Sequence, residues 1–304
     1  MKAVRGISAP IRDVAPNETE MPPAGGFIFD IDGTLALGSA RGKGYDLIPG
    51  ARELLDRLNA SGTPVVAYTN GTLHTPEEYQ KTLWSIGLEF APNHIVTPAS
   101  VAADYFVRKS IRRILVLGVE GVSAPLEKAG LTIVRPSEPL DGIQAVLIGW
   151  FPAFTFPDLE AACRAVWAGA ALFSVSNAPF FAARGGRMLG ISGAIAAMVH
   201  NVTGRRAILL GKPAIYGVRI ACALMGLRVS DVVVVGDDPK LEISMARRAG
   251  ARAVGVLTGV GDREAFQALP RGRAPQLILN SVADLLPSGL KAAPGGPVKG
   301  TSRE

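Results

Sequence analysis

The chain has 304 residues, 48% of them hydrophobic and 19% charged, with a formal net charge of +6. This is ordinary globular composition for one large domain or two of usual size, and no apolar run approaches the roughly 18 residues of a membrane span. Lys and Arg are scattered, with no basic block and no interleaved aromatic platform, which argues against a nucleic-acid partner.

Residues 1–24 read as an irregular leader without the continuous apolar stretch of a secretory signal, so the cytoplasm is the expected location. The first strand signal is "FIF" (27–29), which runs into Asp30, with Ile31 and Asp32 directly after. The stretch "ALGSARGKGYDLIPG" (36–50) is a long loop carrying Arg41 and Lys43, either a solvated loop or a lure for an anionic leaving group. "PVVAY" (64–68) leads to Thr69 and Asn70, and "TPEE" (75–78) then offers Thr75 as a helix cap, Pro76 in the first turn and Glu78 to close a capping box. Residues 91–205 carry their own strand runs at 112–118, 131–134, 145–149 and 171–175, and read as an inserted α/β unit. "AILL" (207–210) leads through Gly211 to Lys212, and Pro213 is expected in the first turn of a helix running to about Gly226. "VVVVG" (232–236) leads to Asp237, followed by Asp238 as helix cap, Pro239 and a stop at Gly250. Residues 288–304 read as a flexible tail.

The alternation of strands and helices predicts a parallel α/β sheet, and ligands of such sheets bind beyond the carboxyl ends of the strands. Core segments 25–90 and 206–287 would therefore place Asp30, Thr69, Lys212 and Asp237 in one crevice. Asp30 and Asp32 repel each other unless a cation or proton separates them, and with Asp237 they form an all-oxygen donor set suited to Mg²⁺. One carboxylate can attack phosphorus while the other handles the leaving-group proton; Lys212 supplies positive charge, and Thr69 with nearby backbone N–H groups can hold phosphate oxygens. The histidines, His74, His94 and His200, lack the spacing of a transition-metal cluster. Cys163 and Cys222 read as structural thiols.

"DIDGTL" (30–35) resembles the first motif of the haloacid dehalogenase superfamily; Thr69-Asn70, Lys212-Pro213 and "GDDPKLE" (236–242) resemble its second, third and fourth, in order. "IPGARELLDRL" (48–58), "SVSNAPFF" (174–181), "GISGAIAAM" (190–198), "LLGKP" (209–213) and "VLTGV" (256–260) are similar to the nitrophenyl-phosphatase-like and ribonucleotide-monophosphatase-like branch, subclass IIA. The resemblance implies a Rossmann-like core with a C2-type cap inserted between the second and third motifs, where 91–205 falls. It also implies Mg²⁺-dependent hydrolysis of a small phosphorylated metabolite through a phospho-aspartyl intermediate, with Asp30 as nucleophile and Asp32 as general acid/base. By the same resemblance, the Asp30 side chain, the Asp32 carbonyl and the Asp237 side chain hold the metal, and Thr69, Asn70 and Lys212 bind phosphate. Glu242 is either a second acid acting on the metal through water or a first-turn acid favoured by the helix dipole. Asp32 favours a phosphatase, because dehalogenases of the superfamily lack that acid and its transport ATPases have Thr there.

Two departures fall in the cap. Relatives carry an Asp after the "IG" strand where this chain has Trp150 and Phe151, and Asn-x-Asp where it has Asn177-Ala178-Pro179. Trp150, Phe151 and Asn177 are thus candidate specificity residues; Phe180 and Phe181 join the aromatics as either a substrate face or cap core. Gly71 stands where relatives have a second Asn. Dimerisation through the cap is expected only by analogy with that branch. The competing reading is a phosphometabolite-binding or regulatory protein with little turnover. A phosphomutase or phosphonatase would place its main cap between the first two motifs, and the gap from Leu35 to Val65 holds only a flap and one helix.

Overall fold

In a computed structural model describing residues 24–38, 44–183 and 186–286, short apolar runs form strands and capped segments form the helices between them. The first half runs β1 (Gly26–Phe29), β2 (Ala36–Gly38), β3 (Tyr45–Leu47), α1 (Ala51–Ala60), β4 (Val65–Tyr68), α2 (Pro76–Ser85), β5 (Ile95–Val96) and α3 (Pro98–Arg108). Then follow β6 (Arg113–Leu117), α4 (Glu120–Lys128), β7 (Thr132–Val134), β8 (Ala145–Ile148), α5 (Phe156–Trp167), β9 (Ala171–Ser174), β10 (Phe180–Ala183), β11 (Gly186–Leu189) and α6 (Ile191–Thr203). The chain continues through β12 (Ile208–Leu209), α7 (Tyr216–Met225), β13 (Val232–Gly236), α8 (Ser244–Ala249), β14 (Arg252–Val256), α9 (Arg263–Gln267) and β15 (Leu277–Leu279). Residues 1–23 of the leader, Arg41, Lys43 and the tail 288–304 lie outside the described residues, as does the side chain of Phe181.

Two sheets organise the chain. The larger has the order β15-β14-β13-β1-β4-β5, with every neighbour parallel. Its central strands β1, β4 and β13 are buried along their whole length, which is why they read as unbroken apolar runs. From β1 the chain first builds outward through β4 and β5, then returns to build β13, β14 and β15 on the other side. The β1–β13 seam is therefore the topological switch point, where a crevice opens beyond the strand ends. The smaller sheet has the order β12-β9-β8-β6-β7, again all parallel.

Helices cover the faces. One apolar layer packs Phe27, Phe29 and Val235 against Leu54, Leu55 and Leu83. Another runs continuously from Ile28, Val66 and Val234 through Val218 and Phe106 to Ile114, Leu147 and Phe173, joining the two sheets. A third lies on the far face of the smaller sheet, under α5 and α6. Full burial of each large side chain contributes about 1.5–3 kcal/mol. Both cysteines are buried and free. Among the described residues, no helix is long and apolar enough to cross a membrane.

The local start signals hold where chemistry specifies them. Thr75 accepts from the Glu78 N–H at 3.2 Å and Glu78 accepts from the Thr75 N–H at 2.8 Å, closing the expected capping box on α2. Asp238 Oδ1 accepts from the N–H groups of Lys240 (2.7 Å) and Leu241 (3.1 Å), so this acid caps the turn that follows. That turn, Pro239–Ile243, is a wide π-helical turn leading into α8, which Gly250 ends in a left-handed conformation.

Three expectations shift. The "AILL" strand joins the smaller sheet, pairing Ile208 with Phe173 and Leu209 with Ser174, while Ile95–Val96, expected in the inserted unit, extends the larger sheet beside β4. A two-residue apolar strand carries no register information of its own, so the nearest available edge decides its sheet. The helix expected from Pro213 starts three residues later, at Tyr216.

Candidate active site

Asp30 follows the last residue of β1, its N–H donating to the Val235 carbonyl at 3.0 Å across the switch-point seam. The next residue, Ile31, is fully buried, and its carbonyl accepts from Thr34 (3.2 Å), Leu35 (3.0 Å) and Ala36 (3.0 Å). This knot turns the chain so that Asp32 is accessible while Asp30 is buried. Gly33 makes the turn possible: its φ is +88°, and a Cβ there would lie 2.5 Å from Asp237 Oδ2.

Lys212 lies at the centre. Its ammonium donates to Asp30 Oδ1, to the Tyr68 carbonyl at 3.0 Å and to Glu242 Oε1 at 2.6 Å. An ammonium has three donors, so every one is engaged by protein oxygen. Burial opposes its charge, but Asp30 and Glu242 outweigh burial and hold its pKa above the usual lysine value. Burial pushes the Asp30 carboxyl upward, and the Lys212 ammonium pulls it back.

Asp237 follows β13 and is wrapped by the loop after β14. Its Oδ2 accepts from the Val260 N–H at 2.7 Å and its carbonyl from the Gly261 N–H at 2.9 Å; a Cβ on Gly259 would lie 1.9 Å from Oδ2. Burial and the charges of Glu242 and Asp30 push its pKa well above the carboxylate range. Four carboxylates, Asp30, Asp32, Asp237 and Glu242, thus gather about one ammonium. Among the described residues no three His, Cys, Asp or Glu side chains form a metal-binding group. The site instead offers two carboxylates, Asp30 and Asp237, with the Asp32 carbonyl, which accepts no main-chain hydrogen bond among the described residues. An oxygen set that small, with excess negative charge, fits a Mg²⁺ ion that keeps several waters or phosphate oxygens.

Asp32 Oδ1 accepts from the Gly38 N–H of the β2–β3 hairpin at 3.2 Å. Water reaches this carboxylate, yet it sits low in a crevice, and the surrounding protein raises its pKa. Thr69 Oγ1 accepts from the Gly71 N–H at 2.9 Å, leaving its own proton to donate to an anion.

The other candidate residues each have partners of their own. The Asn70 side chain, expected on phosphate, bonds the main chain of Lys212: Oδ1 accepts its N–H at 2.8 Å and Nδ2 donates to its carbonyl at 3.1 Å. Glu242, open between an acid acting on the metal through water and a first-turn acid, lies in the first turn of Pro239–Ile243, pairs with Lys212 and accepts from the Asp238 N–H at 3.1 Å. Phe151 packs into the apolar layer under α5, as cap core. Trp150 is half-buried, and its carbonyl accepts from the Val119 N–H at 2.9 Å. Asn177 is exposed and borders a cavity of about 280 Å³ shared with Ser174, His200 and Arg206, apart from the acid cluster.

Two phenols were not anticipated. A Cβ on Gly38 would lie 2.7 Å from Asp32 Oδ1 and 3.2 Å from the Tyr45 ring, so that ring flanks Asp32. A Cβ on Gly71 would lie 2.2 Å from the Tyr79 hydroxyl and 3.3 Å from Thr69 Oγ1. The glycine that replaces the relatives' Asn leaves room for this hydroxyl. Burial first, then the Asp32 charge, raises both phenol pKa values, so both stay neutral. Gly71 was the one trace of this arrangement in the sequence.

Residues 27–132 match the family described as haloacid dehalogenase-like hydrolase, and 209–285 match a second, HAD-hydrolase-like, family. The acid sugar phosphatase of Staphylococcus haemolyticus is 33% identical over 236 residues, 77% of this chain and 86% of that protein. Among solved structures, p-nitrophenyl phosphatase from Archaeoglobus fulgidus superposes with a TM-score of 0.77 at 28% identity, covering 87% of this chain and 98% of that one. The glycerol phosphate phosphatase from Mycobacterium tuberculosis, in complex with magnesium, gives 0.76 at 26% identity over 86% and 76% of the two chains. The ordered strand-end motifs and the similarity along most of the chain agree: the protein belongs to the haloacid dehalogenase-like hydrolases, in subclass IIA.

Proposed function

We propose that this phosphoric monoester hydrolase releases phosphate from a small phosphorylated metabolite by way of a phospho-Asp30 intermediate, with Asp32 as acid and base. One observation carries the reading: a buried carboxylate at the switch point is held by a fully bonded lysine, with a second, accessible carboxylate two residues on.

In the first half-reaction, an Asp30 oxygen attacks phosphorus, the bond from phosphorus to the ester oxygen breaks, and Asp32 protonates the departing alcohol. In the second, Asp32 takes a proton from water as that water attacks the phosphoryl group, freeing phosphate and restoring Asp30. The raised pKa of Asp32 suits the acid role. The Lys212 ammonium beside Asp30 favours the ionised form of the attacking carboxylate and so opposes the effect of its burial. Thr69 Oγ1 would donate to a phosphoryl oxygen, and the main-chain N–H of Asn70 lies in the same loop.

Asp30, Asp237 and the Asp32 carbonyl would hold Mg²⁺, which when bound neutralises phosphoryl charge and orients it for attack. The mycobacterial relative's magnesium and the charge imbalance here both support this assignment. The smaller sheet and its helices would serve as the cap, with the β2–β3 hairpin closing the crevice beside Asp32. The relatives' names support sugar and polyol phosphates as the first substrates to try.

The test is phosphate release from p-nitrophenyl phosphate and a panel of sugar and polyol phosphates with Mg²⁺. Asp30→Asn should lower turnover at least about 1,000-fold, with EDTA abolishing wild-type activity and Mg²⁺ restoring it. Full Mg²⁺-dependent turnover by the variant would refute the nucleophile assignment.

A further inference from the structure

Lys212 reaches the crevice from an unexpected direction. The strand before it, β12, belongs to the smaller sheet, so no strand of the larger sheet runs alongside this residue. Among the described residues, no main-chain group bonds the N–H or carbonyl of Lys212. Both are instead bonded by one side chain 142 positions away, the Asn70 carboxamide, at 2.8 and 3.1 Å. A carboxamide has the donor–acceptor geometry of a peptide group, so Asn70 does for Lys212 what a neighbouring strand would do.

The fit excludes close alternatives. A Cβ on Gly211 would lie 2.8 Å from Asn70 Oδ1 and 2.0 Å from the Val175 carbonyl, so only glycine before Lys212 admits the approach. An aspartate at 70 could still accept the Lys212 N–H but would turn a second acceptor toward the Lys212 carbonyl. At the far end of the side chain, all three ammonium donors are bonded. Lys212 is thereby fixed at both ends, its root by Asn70 and its tip by Asp30, Tyr68 and Glu242.

We propose that Asn70 is a positioning residue that holds the root of Lys212 so that its ammonium meets Asp30, and that its side chain is not a phosphate ligand. This rests on the reading that Lys212 serves Asp30 in phosphate transfer. A displacement of about 1 Å in such a group costs on the order of 100-fold in rate, so a local clamp has a kinetic consequence.

The experiment compares Asn70→Ala and Asn70→Asp with wild type, using p-nitrophenyl phosphate as substrate and inorganic phosphate as competitive inhibitor. Hydrogen exchange at the Lys212 amide and Tm are measured on the same proteins. Both variants should lose about 10- to 100-fold in kcat, with KM and the phosphate inhibition constant within about twofold of wild type. Exchange at Lys212 should accelerate while Tm stays near the wild-type value, a signature a general packing role would not give. Asn70→Asp, nearly isosteric, should fare no better than Ala, and it keeps the test decisive if Ala folds poorly. A tenfold or greater rise in KM and in the inhibition constant, with kcat and Lys212 exchange unchanged, would overturn the proposal in favour of direct phosphate binding. Asp30→Asn and Lys212→Met serve as controls: if they retain turnover, the reading of the site fails; if they are inactive while Asn70→Ala keeps wild-type kcat and exchange, only the clamp fails.

Discussion

β1 and β13 of the larger sheet run into Asp30 and Asp237, whereas β6 and β8 of the smaller sheet run into Gly118 and Gly149. Both sheets are parallel and follow the same rule of construction, yet their carboxyl ends are finished in opposite ways. In the larger sheet, three buried acids and a lysine hold the space open. In the smaller one, a single valine closes it: a Cβ on Gly118 would lie 2.7 Å from Val122 Cβ, and one on Gly149 would lie 2.4 Å from Val122 Cγ2. A parallel sheet offers a crevice by topology, and the side chains at its strand ends decide whether the crevice becomes a site. Burying a charge costs several kcal/mol unless it is paired, so the charged end is maintained against stability, and the apolar end contributes to it.

Removing the cation from the charged end should have the largest effect on that contrast. Lys212→Met keeps the side-chain length but leaves Asp30 and Glu242 buried near each other without a cation. We expect a loss of about 3–5 kcal/mol in urea unfolding, along with the loss of turnover. Adding Glu242→Gln should recover part of the stability but none of the activity, because it removes one unpaired charge while Asp30 still lacks its ammonium. Wild-type stability in the single variant would show that Lys212 does not offset the buried charges of Asp30 and Glu242.

The same contrast governs what was legible before the structure. The acids announced themselves locally, because two carboxylates at the end of an apolar run, or a Gly-Asp-Asp after four valines, have few purely structural uses. Thr75 with Glu78 was equally plain, since a capping box is complete within four residues. The bond between Asn70 and Lys212 left no local mark, because the partner lies 142 positions away and belongs to a segment whose sheet could not be assigned from "AILL". Phe151 was open between cap core and substrate face because an aromatic after a strand satisfies either, and only its packing under α5 separates them. Tyr45 carried no signal, since its nearness to Asp32 depends on the pairing of a three-residue hairpin. Charge leaves a mark in sequence at the residue that bears it; shape leaves a mark only when both partners are known.

At the apolar end, Val122→Ala should cost about 2 kcal/mol through lost burial and the gap left beside Gly118 and Gly149. Turnover should stay within about twofold, since nothing in the acid cluster moves. Gly149→Ala is the converse, forcing a methyl against Val122, and the double variant should be more stable than the sum of the two single losses predicts. Simple additivity would mean that Val122 is not what fills the space over these strand ends, and the comparison between the sheets would lose its second half.

The smallest effect concerns what ties the two ends together. Lys128 on α4 donates to Glu77 on α2 at 2.6 Å, the two side chains being 67% and 50% exposed. Nearby, the backbone of α4 lies so close to the loop after Asn70 that a Cβ on Gly121 would meet the Thr72 carbonyl at 2.6 Å. The hydrogen bond from Lys128 draws the Glu77 pKa below its ordinary value. Whatever stability the pair contributes is therefore present above the ordinary glutamate range and lost as the pH falls through the depressed value. At this exposure it should be at most about 0.2–1 kcal/mol, and less in high salt. Lys128→Met should accordingly shift unfolding by less than about 1 kcal/mol at pH 7, and by progressively less as the pH falls below the ordinary glutamate range. A larger shift would mean that the smaller sheet is held over the crevice by charge; a shift within that range leaves the close approach of Gly121, a contact of shape, as what holds it there.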